Sequence, residues 1–270
     1  MNADLARRIA ILTGSAVRSM TRFAGGDISG ATLVELADAR RVVAKTGPVV
    51  GQEGRMLEAM ALCGAPVPHF IAHDGDVLLI SYVEEGGNLS GEAPWTDLAE
   101  ALAPLQHAGD SAYGWHEDYA LRDVAVENTE CDDWATFWAE RRLLCHAPHI
   151  DSALSRRIEA LAESLGDLLP ARPTAALVHG DLWRGNVIVS ADSSVYLIDP
   201  NAYFGDREVD AATLTVFDRP HASFFECLAL PTGWQERQPI YRLWTWLVHL
   251  RLFGVSYGPA VERELVTLGF

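Results

Sequence analysis

The chain has 270 residues, 49% of them hydrophobic, so it is long enough to bury a substantial core in one or two domains. Its formal net charge of −16 argues against nucleic acid as the main partner, and no apolar run approaches the roughly 20 residues that a membrane helix needs. The first residues have no signal-peptide pattern, and the four cysteines are widely spaced without a C-x-x-C pair, so we expect a cytoplasmic protein without disulfides or a zinc site.

The first predicted elements are a helix over residues 3–13 and a glycine-rich turn over residues 24–30. In that turn, the backbone N–H groups of Gly25 and Gly26 could cover phosphate oxygens. The turn is not a G-x-G-x-x-G motif and is a weak signal by itself. Two strands follow, over residues 33–36 and 41–45, joined by a turn over residues 37–40.

Lys45 ends the second of these strands in the sequence Val-Val-Ala-Lys. This is close to the V-A-I-K pattern of kinases, in which a strand lysine holds the ATP phosphates. A helix is predicted over residues 51–64, and Glu53 in its first turn is assigned as the partner of the lysine. A single strand lysine is more often a solvated edge residue, so the assignment depends on the order of motifs along the chain.

A continuous apolar strand over residues 77–82 leads into a polar linker at about residues 82–88, which we predict to be a hinge. Residues 1–83 are therefore predicted to form an N-terminal ATP-binding lobe, and residues 84–270 a C-terminal catalytic and acceptor-binding lobe. Helix-spaced apolar residues predict that the second lobe is mainly helical, over residues 95–107, 134–146, 152–169, 209–217 and 234–253. The predicted class is α+β, with a small antiparallel sheet lobe, a larger helical lobe and ATP in the cleft.

The most specific signal is the octapeptide His-Gly-Asp-Leu-Trp-Arg-Gly-Asn at residues 179–186. Its Asp181 and Asn186 have the spacing of the kinase pattern H-R-D-x-x-x-x-N, and Asp199 stands where the Asp of D-F-G follows. Asp181 would accept the proton of a substrate hydroxyl, while Asn186 and Asp199 offer the hard oxygen ligands that Mg²⁺ prefers. Asp and Asn near glycine are also common turn residues. The complete octapeptide followed by Asp199 favours the catalytic interpretation.

The residues between Asn186 and Asp199 predict a β-hairpin. Two short apolar strands, over residues 187–189 and 195–198, flank a polar turn over residues 191–194. In a hairpin, the residue that directly precedes the first strand and the residue that directly follows the second strand lie at the same end. Asn186 and Asp199 are therefore expected to meet.

Four neighbouring residues have more than one interpretation. His179 is expected to brace the loop rather than to transfer a proton. Asp210 is expected to be structural, either as a helix cap or as a brace for the loop. Trp183 is either a core aromatic residue or part of the acceptor pocket, and Arg184 either contacts phosphate or is solvated.

With its motifs in this order, the chain resembles the fructosamine kinases (ketosamine 3-kinases), within the aminoglycoside and choline phosphotransferase branch of the kinase-like folds. His-Gly-Asp in place of His-Arg-Asp is typical of the branch, and Trp183 within His-Gly-Asp-Leu-Trp-x-Gly-Asn is typical of the narrower family. The segments at residues 132–143, 198–210 and 233–254 are also similar to that family. The likeness extends from about residue 25 to about residue 257.

The resemblance implies a two-lobed protein-kinase-like fold and ATP- and Mg²⁺-dependent phosphorylation of a sugar hydroxyl. The implied acceptor is a small amine-linked sugar, a ketosamine of the fructosamine or ribulosamine type, with Trp183 in its pocket. Adenine is implied to bind backbone groups at Ser81 and Val83, where Ser81 replaces the usual acidic residue of the family. Residues 114–128, which help to shape the acceptor side, lack the usual Pro-Gln pair, so the exact acceptor and hydroxyl stay open.

Two alternatives remain at this point. One is an aminoglycoside or other small-hydroxyl phosphotransferase, which shares Asp181, Asn186 and Asp199 but not the Trp183 motif. The other is a catalytically inactive nucleotide-binding protein on the same fold, against which the complete set of Lys45 and those three residues argues. Either enzyme would transfer the phosphoryl group directly, because the loose transition state needs mainly alignment and charge stabilisation. The sequence indicates no oligomeric state.

Overall fold

The computed structural model describes residues 3–23 and 30–270. Gly25 and Gly26 of the predicted phosphate-covering turn lie outside this range, so their assignment stays a prediction. Every helix within the described range is too short or too polar to span a bilayer.

The first 81 residues contain two helices and the largest sheet of the described chain. Their bounds are α1 (Ala3–Thr13), β1 (Val17–Arg22), β2 (Thr32–Leu36), β3 (Arg41–Thr46), α2 (Val50–Leu62), β4 (Phe70–Asp74) and β5 (Val77–Ser81). The strands form one antiparallel sheet in the order β1-β2-β3-β5-β4. Strands β1 and β4 were not predicted, because their mixed polar sequences do not alternate clearly.

Strand β5 is a continuous apolar run because helices cover both faces of the sheet. Val77 and Leu79 pack with Ile9 of α1 on one face, whereas Leu78 and Ile80 join the cluster that contains α2 on the other. Side chains alternate between the faces of a strand, and a strand buried on both faces reads as an unbroken hydrophobic run. On β3, Lys45 lies opposite Leu78, which places the lysine on the α2 face.

The remaining residues form a mainly helical region with three small sheets. The bounds are α3 (Ala93–His107), β6 (Gly109–Asp110), β7 (Tyr119–Leu121), β8 (Val124–Val126), α4 (Trp134–Trp138), α5 (Ser152–Leu168), β9 (Ala175–Val178), β10 (Val187–Val189), β11 (Val195–Leu197), β12 (Tyr203–Gly205), α6 (Glu208–Phe217), α7 (Ala222–Leu228), α8 (Trp234–Phe253) and α9 (Gly258–Leu268). The small sheets are β12-β9-β6, β10-β11 and β7-β8. The predicted hairpin is present, with Val187 opposite Leu197.

The segment predicted to be helical over residues 134–146 is helical throughout, but its helix type changes along its length. It begins as α4, widens into a π-helical turn (Ala139–Leu143) and ends in 3₁₀ turns (Leu144–His149) that contain Pro148. Proline cannot donate the backbone hydrogen bond that an α-helix needs there. The π-helical turn carries Arg142, whose buried guanidinium lies over the rings of Tyr203 and Trp244 at 4.3 and 5.0 Å. The predicted helical segment is therefore present, but only residues 134–138 of it are α-helical.

Candidate active site

Lys45 is the centre of a buried ion-pair cluster. Its ammonium donates to Glu53 of α2 and, at 2.8 Å, to Asp199. Burial by itself would lower the pKa of Lys45, but the two carboxylates outweigh it and the pKa is raised, so the lysine stays charged. Burial raises the pKa of Glu53, the Asp199 carboxylate acts in the same direction, and the Lys45 ammonium opposes both. The structure thus brings together the lysine, the helical glutamate and the second aspartate that the sequence singled out.

Asp181 follows β9 and lies beside Asn186. The Asn186 side chain donates through Nδ2 to the Asp181 backbone carbonyl at 2.8 Å and to its carboxylate at 3.1 Å. Burial raises the pKa of Asp181 to about 7, the Asp199 and Asp210 carboxylates act in the same direction, and the Asn186 hydrogen bond opposes them. A carboxyl group with such a pKa can take up or release a proton near neutral pH.

His179 and Asp210 hold the loop that carries Asp181. The Asp210 carboxylate accepts the backbone N–H groups of His179 and Gly180 at 2.8 and 2.9 Å. His179 Nδ1 accepts the N–H of Asp181, and Nε2 donates to the carbonyl of Ile198 at 2.9 Å. Burial lowers the pKa of His179 to about 4, so the ring is neutral at pH 7. Of the two roles left open for Asp210, the structure supports the brace.

Gly180 allows the loop to lie against the segment that follows Asp199. Its φ is +76°, and a Cβ atom there would stand 2.0 Å from the carbonyl oxygen of Asn201. The N–H of Asn201 in turn donates to the carbonyl of His179 at 2.9 Å. Only glycine combines this backbone conformation with so close an approach. The loop of Asp181 and the segment of Asp199 are therefore fixed to each other.

The hairpin places Asn186 and Asp199 at the same end, as predicted. The N–H of Ile198 donates to the carbonyl of Asn186 at 3.0 Å, one residue before Asp199. Asp199 itself has φ of +54°, a left-handed conformation that costs energy for a non-glycine residue. Strain of this kind concentrates at functional sites.

The donor set at this end of the hairpin fits Mg²⁺. Asp199 offers a carboxylate, and Asn186 uses its N–H group on Asp181, which leaves the amide oxygen for a cation. In residues 3–23 and 30–270, no group of three or more His, Cys, Asp or Glu side chains could hold a metal without further ligands. Mg²⁺ usually binds one or two protein groups together with substrate phosphates, and this set has that composition.

The predicted hinge lies beside the catalytic hairpin. Ser81 ends β5, where its N–H donates to the carbonyl of His69 and its hydroxyl accepts the His69 N–H. Gly86 and Gly87 both donate to the carbonyl of Val189 at 3.0 Å. Val83 lies between these anchors and is half-buried. Adenine binding at Ser81 and Val83 stays a prediction.

Trp183 lies at the surface rather than in the core, with 40% of the residue exposed. Its ring covers the backbone of Gly185, where a Cβ atom would stand 2.2 Å from the indole. The next residue, Arg184, donates to Asp218 from its backbone N–H at 2.8 Å and from its side chain at 3.2 Å. Trp183 is thus held two residues from Asp181 with part of its ring accessible.

The structure also brings residues to the site that the sequence did not single out. Arg55 of α2 forms a two-armed ion pair with Glu117, with both N···O distances at 2.5 Å, so the helix of Glu53 is tied to residues 114–128. Burial and the carboxylates of Glu53, Asp199 and Asp181 together raise the pKa of Tyr119 well above its ordinary value. Tyr119 is therefore within electrostatic range of the acidic cluster. No local pattern marks such residues, because their partners are distant in sequence.

One concavity of the described residues lies away from the Lys45 cluster. It has a volume of about 460 Å³ and is lined by Asp110, Tyr113 and Arg172, among others. None of the predicted site residues lines it. This concavity therefore does not coincide with the predicted site.

Comparison with known proteins extends over nearly the whole chain. The fructosamine kinase family model matches residues 1–268. A probable ketoamine kinase of Lactiplantibacillus plantarum is 34% identical over 211 residues, which cover 73% of this chain and 72% of that relative. The chloroplastic protein-ribulosamine 3-kinase of Arabidopsis thaliana is 26% identical over 272 residues, which cover 92% and 82%.

A solved structure is similar throughout. The crystal structure of a candidate fructosamine-3-kinase from Thermobifida fusca has a TM-score of 0.88 to this chain at 27% identity, and the match covers 98% of both chains. The resemblance seen in the motifs and the predicted two-lobed α+β fold are confirmed by these likenesses.

Proposed function

Because the chain belongs to the fructosamine kinase family, we propose that it transfers a phosphoryl group from ATP to a sugar hydroxyl of a ketosamine. The observation that carries the chemistry is the cluster in which Lys45 binds both Glu53 and Asp199, close to the Asp181 loop. The acceptor class is supported by the names of the ketoamine kinase and ribulosamine 3-kinase relatives.

In this proposal Asp181 orients the acceptor hydroxyl and takes its proton. Its raised pKa, about 7, suits a group that must accept a proton near neutral pH. His179 and Asp210 are positioning residues, since they fix the loop through its backbone. Neither is needed to exchange a proton with the substrate.

Lys45 has the role of neutralising phosphate charge. Glu53 keeps it at the α2 face of the sheet, and the raised pKa keeps it protonated. Asn186 and Asp199 would hold Mg²⁺, which when bound neutralises charge on the phosphate oxygens. Because Asp199 already accepts from Lys45, its carboxylate can link the lysine to the metal side of the site.

Trp183 has the role of an acceptor contact. It follows Asp181 by two residues, and its accessible ring can pack on the sugar or on the carbon atoms attached to the amine. A surface tryptophan held by loop anchors loses little conformational freedom on binding, so the contact favours the acceptor.

A panel of acceptors tests the proposal. Purified enzyme with Mg·ATP would be offered fructose and ribulose linked to a simple amine, an aminoglycoside, and no acceptor, and ADP release and the phosphorylated product would be measured. We expect product only with the amine-linked sugars, and none with Asp181→Asn. Turnover of the aminoglycoside alone would contradict the acceptor class, and nucleotide binding without turnover of any acceptor would contradict the enzyme assignment.

A further inference from the structure

An unusual set of aromatic side chains extends from the catalytic loop. Among the described residues, the exposed large hydrophobic side chains include Trp183, Phe217 and Phe253, which are 40%, 45% and 40% accessible. They belong to one series of ring contacts. Trp183 meets Phe217 at 6.3 Å, Phe217 meets His249 at 4.9 Å, and His249 meets Phe253 and Tyr257 at 5.2 Å each. We call these five residues the aromatic wall.

The aromatic wall begins at the catalytic loop and is fixed there. Arg184, next to Trp183, is paired with Asp218, which directly follows Phe217 at the end of α6. The other end of the wall lies at the end of α8 and in the turn after it. If the reacting hydroxyl of an acceptor lies at Asp181, the far end of that acceptor would therefore lie along the aromatic wall.

The wall is uncharged, and within the described residues the one cation shown over its rings is Arg122, at Phe253. His249 Nδ1 donates to the carbonyl of Thr245 at 2.8 Å, and burial lowers the pKa of the ring, so it is neutral at pH 7. The guanidinium of Arg122 already lies over the Phe253 ring at 5.6 Å. A second cation would meet the Arg122 guanidinium at the Phe253 ring, whereas a neutral apolar or aromatic group would meet ring faces and edges.

We infer that the aromatic wall binds the substituent on the amine of the acceptor, and that it selects acceptors in which this substituent is uncharged and apolar, aromatic groups above all. This rests on the proposed function, because the acceptor must be a sugar joined to an amine. It assigns the sugar to the Asp181 loop and the amine substituent to Phe217 and Phe253. Trp183, between them, would contact both the sugar and the substituent.

Three acceptors that share one sugar test the inference. They are fructose linked to methylamine, to benzylamine and to ethylenediamine, whose second amine is protonated at pH 7. We expect a KM about tenfold lower for the benzylamine compound than for the methylamine compound, as burial of part of a ring would give. We expect no such gain for the ethylenediamine compound.

Two wall variants and a matched control complete the test. Phe217→Ala and Phe253→Ala should reduce the ratio of the methylamine KM to the benzylamine KM from about ten to about two or less. Leu168→Ala removes a comparably accessible side chain (38%) on α5, outside the wall, and should leave the ratio at the wild-type value. Phe217 also contacts the Trp246 ring at 5.3 Å. If Phe217→Ala does not fold, the Phe253→Ala variant, at the last residue of α8, decides alone.

Each result separates the inference from the proposed function. Equal KM values for all three acceptors, or a preference for the charged one, would show that the wall does not select apolar substituents. An unchanged ratio in a folded Phe253→Ala variant would contradict the inference as well. If none of the three acceptors is phosphorylated, the proposed function itself is wrong and the inference falls with it.

Discussion

Lys45 Nζ lies 2.8 Å from Asp199 Oδ1, although 154 residues separate the two in sequence. The same ammonium binds Glu53, so one cation joins a strand, a helix and the segment after the catalytic hairpin. We expect Lys45, Glu53 and Asp199 to affect stability as well as the proposed chemistry. Substitutions that separate these two contributions are therefore informative.

The first prediction concerns the buried pair of Lys45 and Glu53. Lys45→Met should lower the free energy of unfolding by about 3–5 kcal/mol, because it leaves a buried carboxylate without its partner. The double variant Lys45→Met with Glu53→Gln should recover most of this loss but none of the activity. Urea denaturation and ATP turnover of wild type, both single variants and the double variant would measure both. A Lys45→Met protein as stable as wild type would contradict the prediction.

The second prediction concerns Asp181 and pH. The base must be ionised to accept a proton, and its pKa is raised to about 7, so kcat/KM should rise as pH increases through about 7 and fall tenfold per pH unit well below it. Asp181→Asn should lower kcat by roughly 10²–10⁴ while nucleotide binding persists. Rates from pH 5 to 9 and nucleotide titrations would check this. A flat profile below pH 7 would remove Asp181 from the role of base.

Local patterns predicted the parts of the fold that local forces decide. Residues 77–82 were recognisable as a strand because burial on both faces requires an unbroken apolar run, and the hairpin after Asn186 was recognisable from its turn. The segment 134–146 is helical as predicted, but the spacing of its apolar residues does not show the change from α- to π- and 3₁₀-helical geometry. Strand β4 was missed since its exposed residues break the alternation.

The site divides in the same way. Asp181, Asn186 and Asp199 could be predicted from the sequence, because they lie within one short loop and the hairpin that follows it. The role of Asp210 could not be decided, because its hydrogen bonds to His179 and Gly180 reach back about thirty residues. Tyr119 was missed for the same reason, since nothing near it in sequence points to the carboxylates that act on it.

The third prediction concerns Gly180. An alanine there would need a left-handed backbone and would place its Cβ 2.0 Å from the Asn201 carbonyl oxygen. We expect Gly180→Ala to lower the free energy of unfolding by at least ~2 kcal/mol and to abolish turnover, because the loop must move. Gly166→Ala is the control, since Gly166 is helical with open space around its Cβ position and alanine should stabilise by ~0.5–1 kcal/mol. Equal stability of the two variants would contradict the close approach.

The fourth prediction concerns the metal ligands. Asp199→Ala should abolish Mg²⁺-dependent ATP binding, because it removes a full negative charge and leaves Lys45 with Glu53 alone. Asn186→Ala should weaken Mg·ATP binding less, since an amide carries no net charge, but it should lower kcat because Asp181 loses its hydrogen bond. Titration of ATP with and without Mg²⁺ would check both. Wild-type Mg·ATP affinity in Asp199→Ala would show that Asp199 is not a ligand.

The last prediction concerns Trp183. Because its ring is 40% accessible and lies two residues after Asp181, Trp183→Ala should raise KM for a ketosamine roughly tenfold to a hundredfold, the loss of ~1–3 kcal/mol of contact. The KM for ATP should change far less, since the predicted adenine site near Ser81 belongs to another segment. The alternative is a structural role, because the Trp183 ring covers the backbone of Gly185 and contacts the ring of Phe217. In that case both KM values and the melting temperature would worsen together. Trp183→Phe separates the two further: a smaller ring should keep part of the acceptor contact, so its ketosamine KM should lie between those of wild type and Trp183→Ala at an unchanged melting temperature.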